Sequence, residues 1–478
     1  MSVPSFEFFL FALVAAGIYN LVPMGVARRL VLLVANFAFL ATFATTGYDL
    51  IPYAAFLAIG YLFIRGCAPI QTSWAFWFTV GATILLFCWL KKYTFLPEAS
   101  FLHVVYVQVG LSYVFFRVLH LVVDAHSDER LQKLSLISYL NFTLNFTALV
   151  SGPIQRYEDY IDSTETRPRP LDMGVLGEVL ERLVVGCFKV WAAAAIVAEL
   201  QHALEFQVVE ATGLFTRILC AAGLAALFPI FLFYNFSGYT DVVIAIARLF
   251  RIELPENFNK PFTAASFIDY WNRWHMSLSN WLKTYVYTPL FASIMRNVKN
   301  PRLLAYASAV SLFVTFFLIG AWHGRTSEFF FFGFLNGLGV AVNQIYRTIL
   351  QDKIGRKPYA ALSARPLYLF FGRGLTFTWV AFTLLWFWSD WAQLAEIARG
   401  IGFGGVVAAA LILILASCVA LQALVTVDAL LRGPKLDGRP LVLSRYARTV
   451  FVTVLVMGVV TVQSVMTSPA PDIVYKDF

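Results

Sequence analysis

Six histidines occur in this 478-residue chain, and two of them sit where an imidazole can do chemistry. His275 lies in Phe267-Ile-Asp-Tyr-Trp-Asn-Arg-Trp-His-Met-Ser-Leu-Ser-Asn-Trp-Leu282, and His323 follows 48 positions later in Gly320-Ala-Trp-His-Gly324. A neutral imidazole takes a proton from a hydroxyl near neutral pH, so general-base catalysis is the chemistry these residues suit. His323 is the sharper candidate. It ends a charge-free apolar run, Leu303 to Trp322, and an ionisable residue at the end of such a run is a functional candidate by default. Gly320 and Gly324 let another backbone or a ligand approach it closely. An apolar setting also favours the uncharged ring that a base needs.

Two readings stay open for His275. It suits a core histidine bonded to a backbone carbonyl. Equally, the neighbouring Trp271, Asn272, Arg273, Trp274, Ser277 and Ser279 supply the polar and aromatic groups of a binding site. Trp322 beside His323, and Asn235 in Asn235-Phe-Ser-Gly-Tyr-Thr-Asp241, extend that set. Asn141 and Asn145 also fall in an apolar run, where amides either bond helix to helix or line a cavity. No metal site is expected, because the two histidines have no carboxylate or thiolate at ligand spacing. There is neither a phosphate-cradling glycine loop nor a Gly-x-Ser-x-Gly turn.

The elements that must position these groups belong to a membrane. With 59% hydrophobic and 13% charged residues, the chain is far more apolar than a soluble domain, which carries about 25% charged residues. Its apolar stretches are continuous and lack alternation, so the expected fold is all-α: a polytopic protein with about 11–14 transmembrane or re-entrant helices. Spans are expected at 5–25, 30–46, 50–64, 72–90, 102–123, 134–155 and 176–200, with 50–64 short enough to be re-entrant. The stretch 214–250 should break at Pro229 and at Asn235–Asp241. Pro255 and Pro261 make 254–262 a fixed loop. A capping box at Ser266-x-x-Asp269 then starts an interfacial helix running to Tyr287, with Ile268, Trp271, His275, Leu278 and Leu282 on one face. A last span is expected at 449–468.

The net charge of +8 reflects basic loops on the cytoplasmic side, not affinity for nucleic acid. Three such loops, 296–302, 347–373 and 432–448, are each separated by two apolar segments and can share one side. The five cysteines show no paired spacing, so no disulfide framework is expected.

Asn235-Phe-Ser-Gly-Tyr-Thr-Asp241, Pro255-Glu-Asn-Phe-Asn-Lys-Pro261, Tyr270-Trp-Asn-Arg-Trp-His-Met-Ser-Leu-Ser279 and Trp322-His-Gly324 together resemble the bacterial branch of the membrane-bound O-acyltransferases. That branch includes alginate O-acetylation and teichoic acid D-alanyl transfer proteins. Ser151-Gly-Pro-Ile-Gln-Arg156 is similar to a further motif of the family. The chain departs from the alginate type at Thr284, at Phe291-Ala292 and at Arg325-Thr-Ser-Glu328.

The resemblance implies one membrane-embedded domain over 1–478, with a family-like core at about 100–347 and the densest motifs at 228–337, its helices enclosing a catalytic tunnel. It implies an enzyme of a bacterial cytoplasmic (inner) membrane with no bound cofactor, using acetyl-CoA or another acyl thioester from the cytoplasm. The acceptor would be a hydroxyl of an exported polysaccharide or cell-wall glycan, reached directly or through a periplasmic or extracellular partner. His323 matches the family's catalytic histidine and His275 its supporting position. Because the D-alanyl branch shares Asn259-Lys-Pro261 and the Trp271–Ser279 run, the resemblance leaves D-alanyl-type transfer as an alternative to acetyl transfer. The alternative from the residues alone is a transporter or flippase whose histidines relay protons, which internal repeats would favour; none is evident.

Overall fold

The computed structural model describes residues 1–466 except Met24, Lys299, Pro434, Asp437, Gly438 and 441–443. Among the described residues, nine helices are long and apolar enough to cross a bilayer, and Phe6–Leu21 is a shorter apolar helix. Backbone N–H and C=O groups in lipid have no water to bond, and a helix satisfies them within itself. The protein is accordingly an all-α polytopic membrane protein. Strand pairing among the described residues is limited to β1 (Lys435–Leu436) with β2 (Arg439–Pro440) and an isolated bridge between Phe258 and Trp274. The chain forms two compact units. Among the described residues, the first takes Met1–Cys187 and Gly238–Glu256, and the second takes Phe188–Ser237 and 257–466.

In the first unit, α1 (Phe6–Leu21) packs on α2 (Val26–Ala41), and α3 (Ile51–Leu62) and α4 (Ser73–Leu90) pack on α5 (Leu111–Ala125). The short α6 (Glu129–Gln132), α7 (Leu136–Thr143) and α8 (Tyr157–Ile161) follow, then α9 (Met173–Phe188). The segment expected to be short, 50–64, is part of a 24-residue helical run, Gly47–Ile70. A capping box between Thr46 and Asp49 starts it earlier than hydropathy suggests.

Two expected spans are corrected. Helix α5 begins only at Leu111, because Gly110 turns the chain with φ +71°. The run 134–155 is not one helix: it ends at Thr143, and the chain then folds irregularly inside the unit. Buried Arg117 takes the carbonyls this leaves over, donating to Thr143 O at 3.0 Å and Ala148 O at 2.6 Å. The amides there bond between elements: Asn36 donates to Asn141 Oδ1, Asn141 to Arg29 O, and the Phe146 N–H to Asn36 Oδ1. Hydropathy registers apolar side chains, and a protein interior needs them as much as lipid does.

In the second unit come α10 (Ala195–Glu210) and α11 (Leu214–Leu249), the latter contributing its residues up to Ser237. Helix α11 does not break. Pro229 lies inside a continuous 36-residue helix, and Asn235 and Ser237 are buried along it. Polar side chains packed against protein need no opening of the backbone. Then follow α12 (Phe267–Trp271), α13 (Met276–Leu282), α14 (Thr288–Asn297), α15 (Pro301–His323), α16 (Ser327–Ile354), α17 (Arg356–Ser363), α18 (Pro366–Trp388), α19 (Trp391–Arg432) and α20 (Arg445–Val465).

Helices α15 and α16 approach so closely that a Cβ on Gly320 would lie 2.3 Å from the Gly333 Cα. Small residues permit such crossings. Helix α19 kinks at Gly402, whose φ of +68° suits glycine. Of the basic loops, Lys299 and much of 434–443 lie outside the described residues, as does the end of the last expected span.

Candidate active site

The expected helix from Ser266 to Tyr287 does start with the Ser266 hydroxyl accepting from the Asp269 N–H. It does not continue. Helix α12 ends at Trp271, and His275 sits in the left-handed region at φ +43°, ψ 53°, before α13 begins. A non-glycine residue there is strained unless its surroundings hold it. Here they do. The loop 257–259 runs antiparallel to 273–277 and zips across the histidine. The Asn259 N–H donates to Arg273 O at 2.9 Å, the Met276 N–H donates to Asn257 O at 3.0 Å, and the Ser277 N–H donates to Asn257 Oδ1 at 3.2 Å. Asn257, fully buried, thus caps α13 from twenty positions upstream.

This kink turns the aromatic rings into the protein instead of toward headgroups: Trp271, Trp274 and Trp281 are all buried. Trp274 stacks on Tyr270 with ring centroids 5.6 Å apart and meets Phe258 edge-on at 5.0 Å. Trp271 meets Phe316 of α15 at 4.9 Å.

His275 is 1% exposed and His323 3%. The His275 ring meets Phe236 of α11 edge-on at 4.9 Å and lies 6.4 Å from Trp322. Trp322 in turn lies 4.7 Å from the His323 ring. The two histidines, remote in sequence, therefore flank one indole. His323 is boxed on its other sides by Phe387 at 5.0 Å and Phe332 at 5.9 Å. Gly324 ends α15 without a side chain because Phe329 fills the space a Cβ would need.

Of the residues singled out from sequence, the structure gathers His275, Trp322 and His323, with buried Trp271, Trp274 and Asn235 on the same unit. Ser279 is half-buried and donates to Trp274 O at 3.4 Å. Two stand apart. Asn272 is exposed, and Arg273 is committed to Asp269 at 3.0 Å and to the Thr263 hydroxyl. Sequence reasoning missed Asn257 and the ring set Phe236, Phe332 and Phe387. Asn257 was visible only as one amide in a proline-bracketed loop. Among the described residues, no three His, Cys, Asp or Glu side chains are grouped as metal ligands.

The arrangement sets two buried imidazoles in an apolar surround. Such a site suits proton transfer from a hydroxyl with stabilisation of developing charge.

The profile of the MBOAT, membrane-bound O-acyltransferase family matches residues 56–382. The chain is similar to the teichoic acid D-alanyltransferase of Streptococcus thermophilus, 30% identical over 260 residues, 52% of this chain and 61% of that protein. It is similar to the "Probable alginate O-acetylase AlgI" of Azotobacter vinelandii, 27% identical over 407 residues, 80% of this chain and 77% of that one. It is also similar to the peptidoglycan O-acetyltransferase of Helicobacter pylori, 30% identical over 211 residues, 44% and 38% of the two chains. The chain spans only 61% and 56% of the two D-alanyltransferases it matches. The family match covers well over half of the sequence and runs through the Asn257 clamp, the kinked histidine and the end of α15: this chain belongs to the membrane-bound O-acyltransferase family.

Proposed function

We propose that the protein is an O-acyltransferase of a bacterial cytoplasmic membrane. It moves an acetyl group from a cytoplasmic thioester, such as acetyl-CoA, to a hydroxyl of an exported polysaccharide or cell-wall glycan, directly or through an extracytoplasmic partner. The observation that carries this reading is the buried pair of imidazoles on either side of Trp322. The names of the acetylating relatives support acetyl as the transferred group and a glycan as the acceptor class.

In the proposed reaction the acceptor oxygen attacks the thioester carbonyl carbon while His323 takes the hydroxyl proton. Collapse of the tetrahedral intermediate breaks the C–S bond, and His323 returns that proton to the leaving thiolate. His275, fixed by the 257–259 clamp, stabilises the developing oxyanion by hydrogen-bond donation. The four cavities described for the chain are lined by neither histidine. A substrate tunnel to them is part of the proposal.

The test is the acetyl content of the cell-surface polymer, read by mass spectrometry, in cells carrying His323→Ala. Loss of acetyl ester with the protein still folded in the membrane is expected; undiminished acetylation contradicts the proposal. The D-alanyltransferase likeness favours one second reading, transfer of D-alanine. Mild alkali distinguishes them, releasing acetate from the envelope in the first case and D-alanine in the second.

A further inference from the structure

A groove of about 820 Å³ runs along the second unit between α16 and α18, apart from the histidines. Its volume falls within the range of about 300–1,000 Å³ typical of ligand sites. Its walls are apolar over most of their length, from Leu338 and Val342 on α16 to Phe371, Leu375 and Trp379 on α18. Both helices are membrane-crossing candidates, and Val342, Phe371 and Leu375 are exposed, so the groove opens toward lipid. On α18 its lining runs from Leu367 to Trp379, twelve steps of about 1.5 Å or roughly 18 Å. One leaflet of hydrocarbon is about 15 Å deep, half of ~30 Å. The groove has the length of a single acyl chain.

One end is polar. There Tyr346 of α16 and Tyr368 of α18 line the groove together with Arg365. Arg365 is also the N-cap residue of α18, where the helix dipole adds positive potential. The surrounding segment carries Arg347, Lys353, Arg356 and Lys357 as well, against Asp352 alone. None of these five cations makes an ion pair among the described residues. The same segment is one of the basic loops that the positive-inside rule places on the cytoplasmic side, where anionic lipids concentrate.

The geometry points to a bound anionic phospholipid of the cytoplasmic leaflet, one acyl chain in the α16–α18 groove and its phosphate on Arg365 and the tyrosine hydroxyls. It is an integral lipid of the second unit, independent of the acyl-transfer chemistry.

The test is native mass spectrometry of the full chain released from nanodiscs of equal phosphatidylglycerol and phosphatidylcholine. Wild type should retain one phosphatidylglycerol in preference to phosphatidylcholine. Arg365→Gln should lower that retention at least tenfold, Arg365→Lys should preserve most of it, and Val342→Trp, which fills the groove, should abolish it. Thermal unfolding midpoints near that of the wild type show that the variants fold. Equal retention of the two lipids, no retained lipid, retention undiminished in Arg365→Gln, or a dimer mass that Val342→Trp abolishes would each overturn the assignment. The last outcome would make a second copy of the chain the occupant.

Discussion

His323 was legible from sequence because a histidine closing a charge-free run between two glycines has few structural explanations. His275 was legible as a buried residue of one face, but not as the kink it is. The left-handed backbone is imposed by Asn257, and nothing local to His275 announces a partner twenty positions away. Asn257→Ala removes the acceptor for the buried Ser277 N–H, which should cost about 1–3 kcal/mol of stability. It should also lower acyl-transfer turnover by roughly 10²-fold, as small misplacements of catalytic groups do. Asn257→Asp keeps an acceptor oxygen but buries a carboxyl, so it too should cost stability, measured by thermal unfolding beside single-turnover rates.

The α15–α16 pair positions His323 by contact between backbones. Gly320→Ala puts a methyl group 2.3 Å from the Gly333 Cα, so the helices must part. A destabilisation of about 1–3 kcal/mol is expected from overpacking, with activity lost alongside. A Tm equal to wild type would show that the crossing is looser than described. In the first unit, Arg117→Met leaves the carbonyls of Thr143 and Ala148 buried without their donor. About 1–3 kcal/mol for each is the expected loss in denaturant unfolding. This arginine also explains why 134–155 reads as a span and is not one. The run is apolar enough for lipid, and only a buried cation bonded to two carbonyls, invisible to hydropathy, tells that protein surrounds it. Helix α11 is the converse case, where proline and a polar run suggested a break that packing made unnecessary.

For the molecule as a whole, composition alone was decisive for an all-α membrane protein, because few charges and continuous apolar runs leave the backbone no other way to be satisfied. Finer boundaries were not legible, since caps and tertiary partners set them. The positive-inside rule predicts the orientation from the basic loops. Lys357→Cys should react with a membrane-impermeant maleimide only after cells are opened, whereas Ala392→Cys, in the first turn of α19 just beyond the far end of α18, should react in intact cells. The reverse pattern would invert the assigned sidedness.

The most direct test of the proposed chemistry is transfer of radiolabelled acetyl from acetyl-CoA to a surface glycan by the purified protein, with its partner if one is required. The wild type should form alkali-labile acetyl ester. His323→Ala should be slower by about 10²- to 10⁴-fold, the usual worth of a general base, while unfolding at the same temperature. Label transfer by His323→Ala at the wild-type rate would contradict the role given to His323.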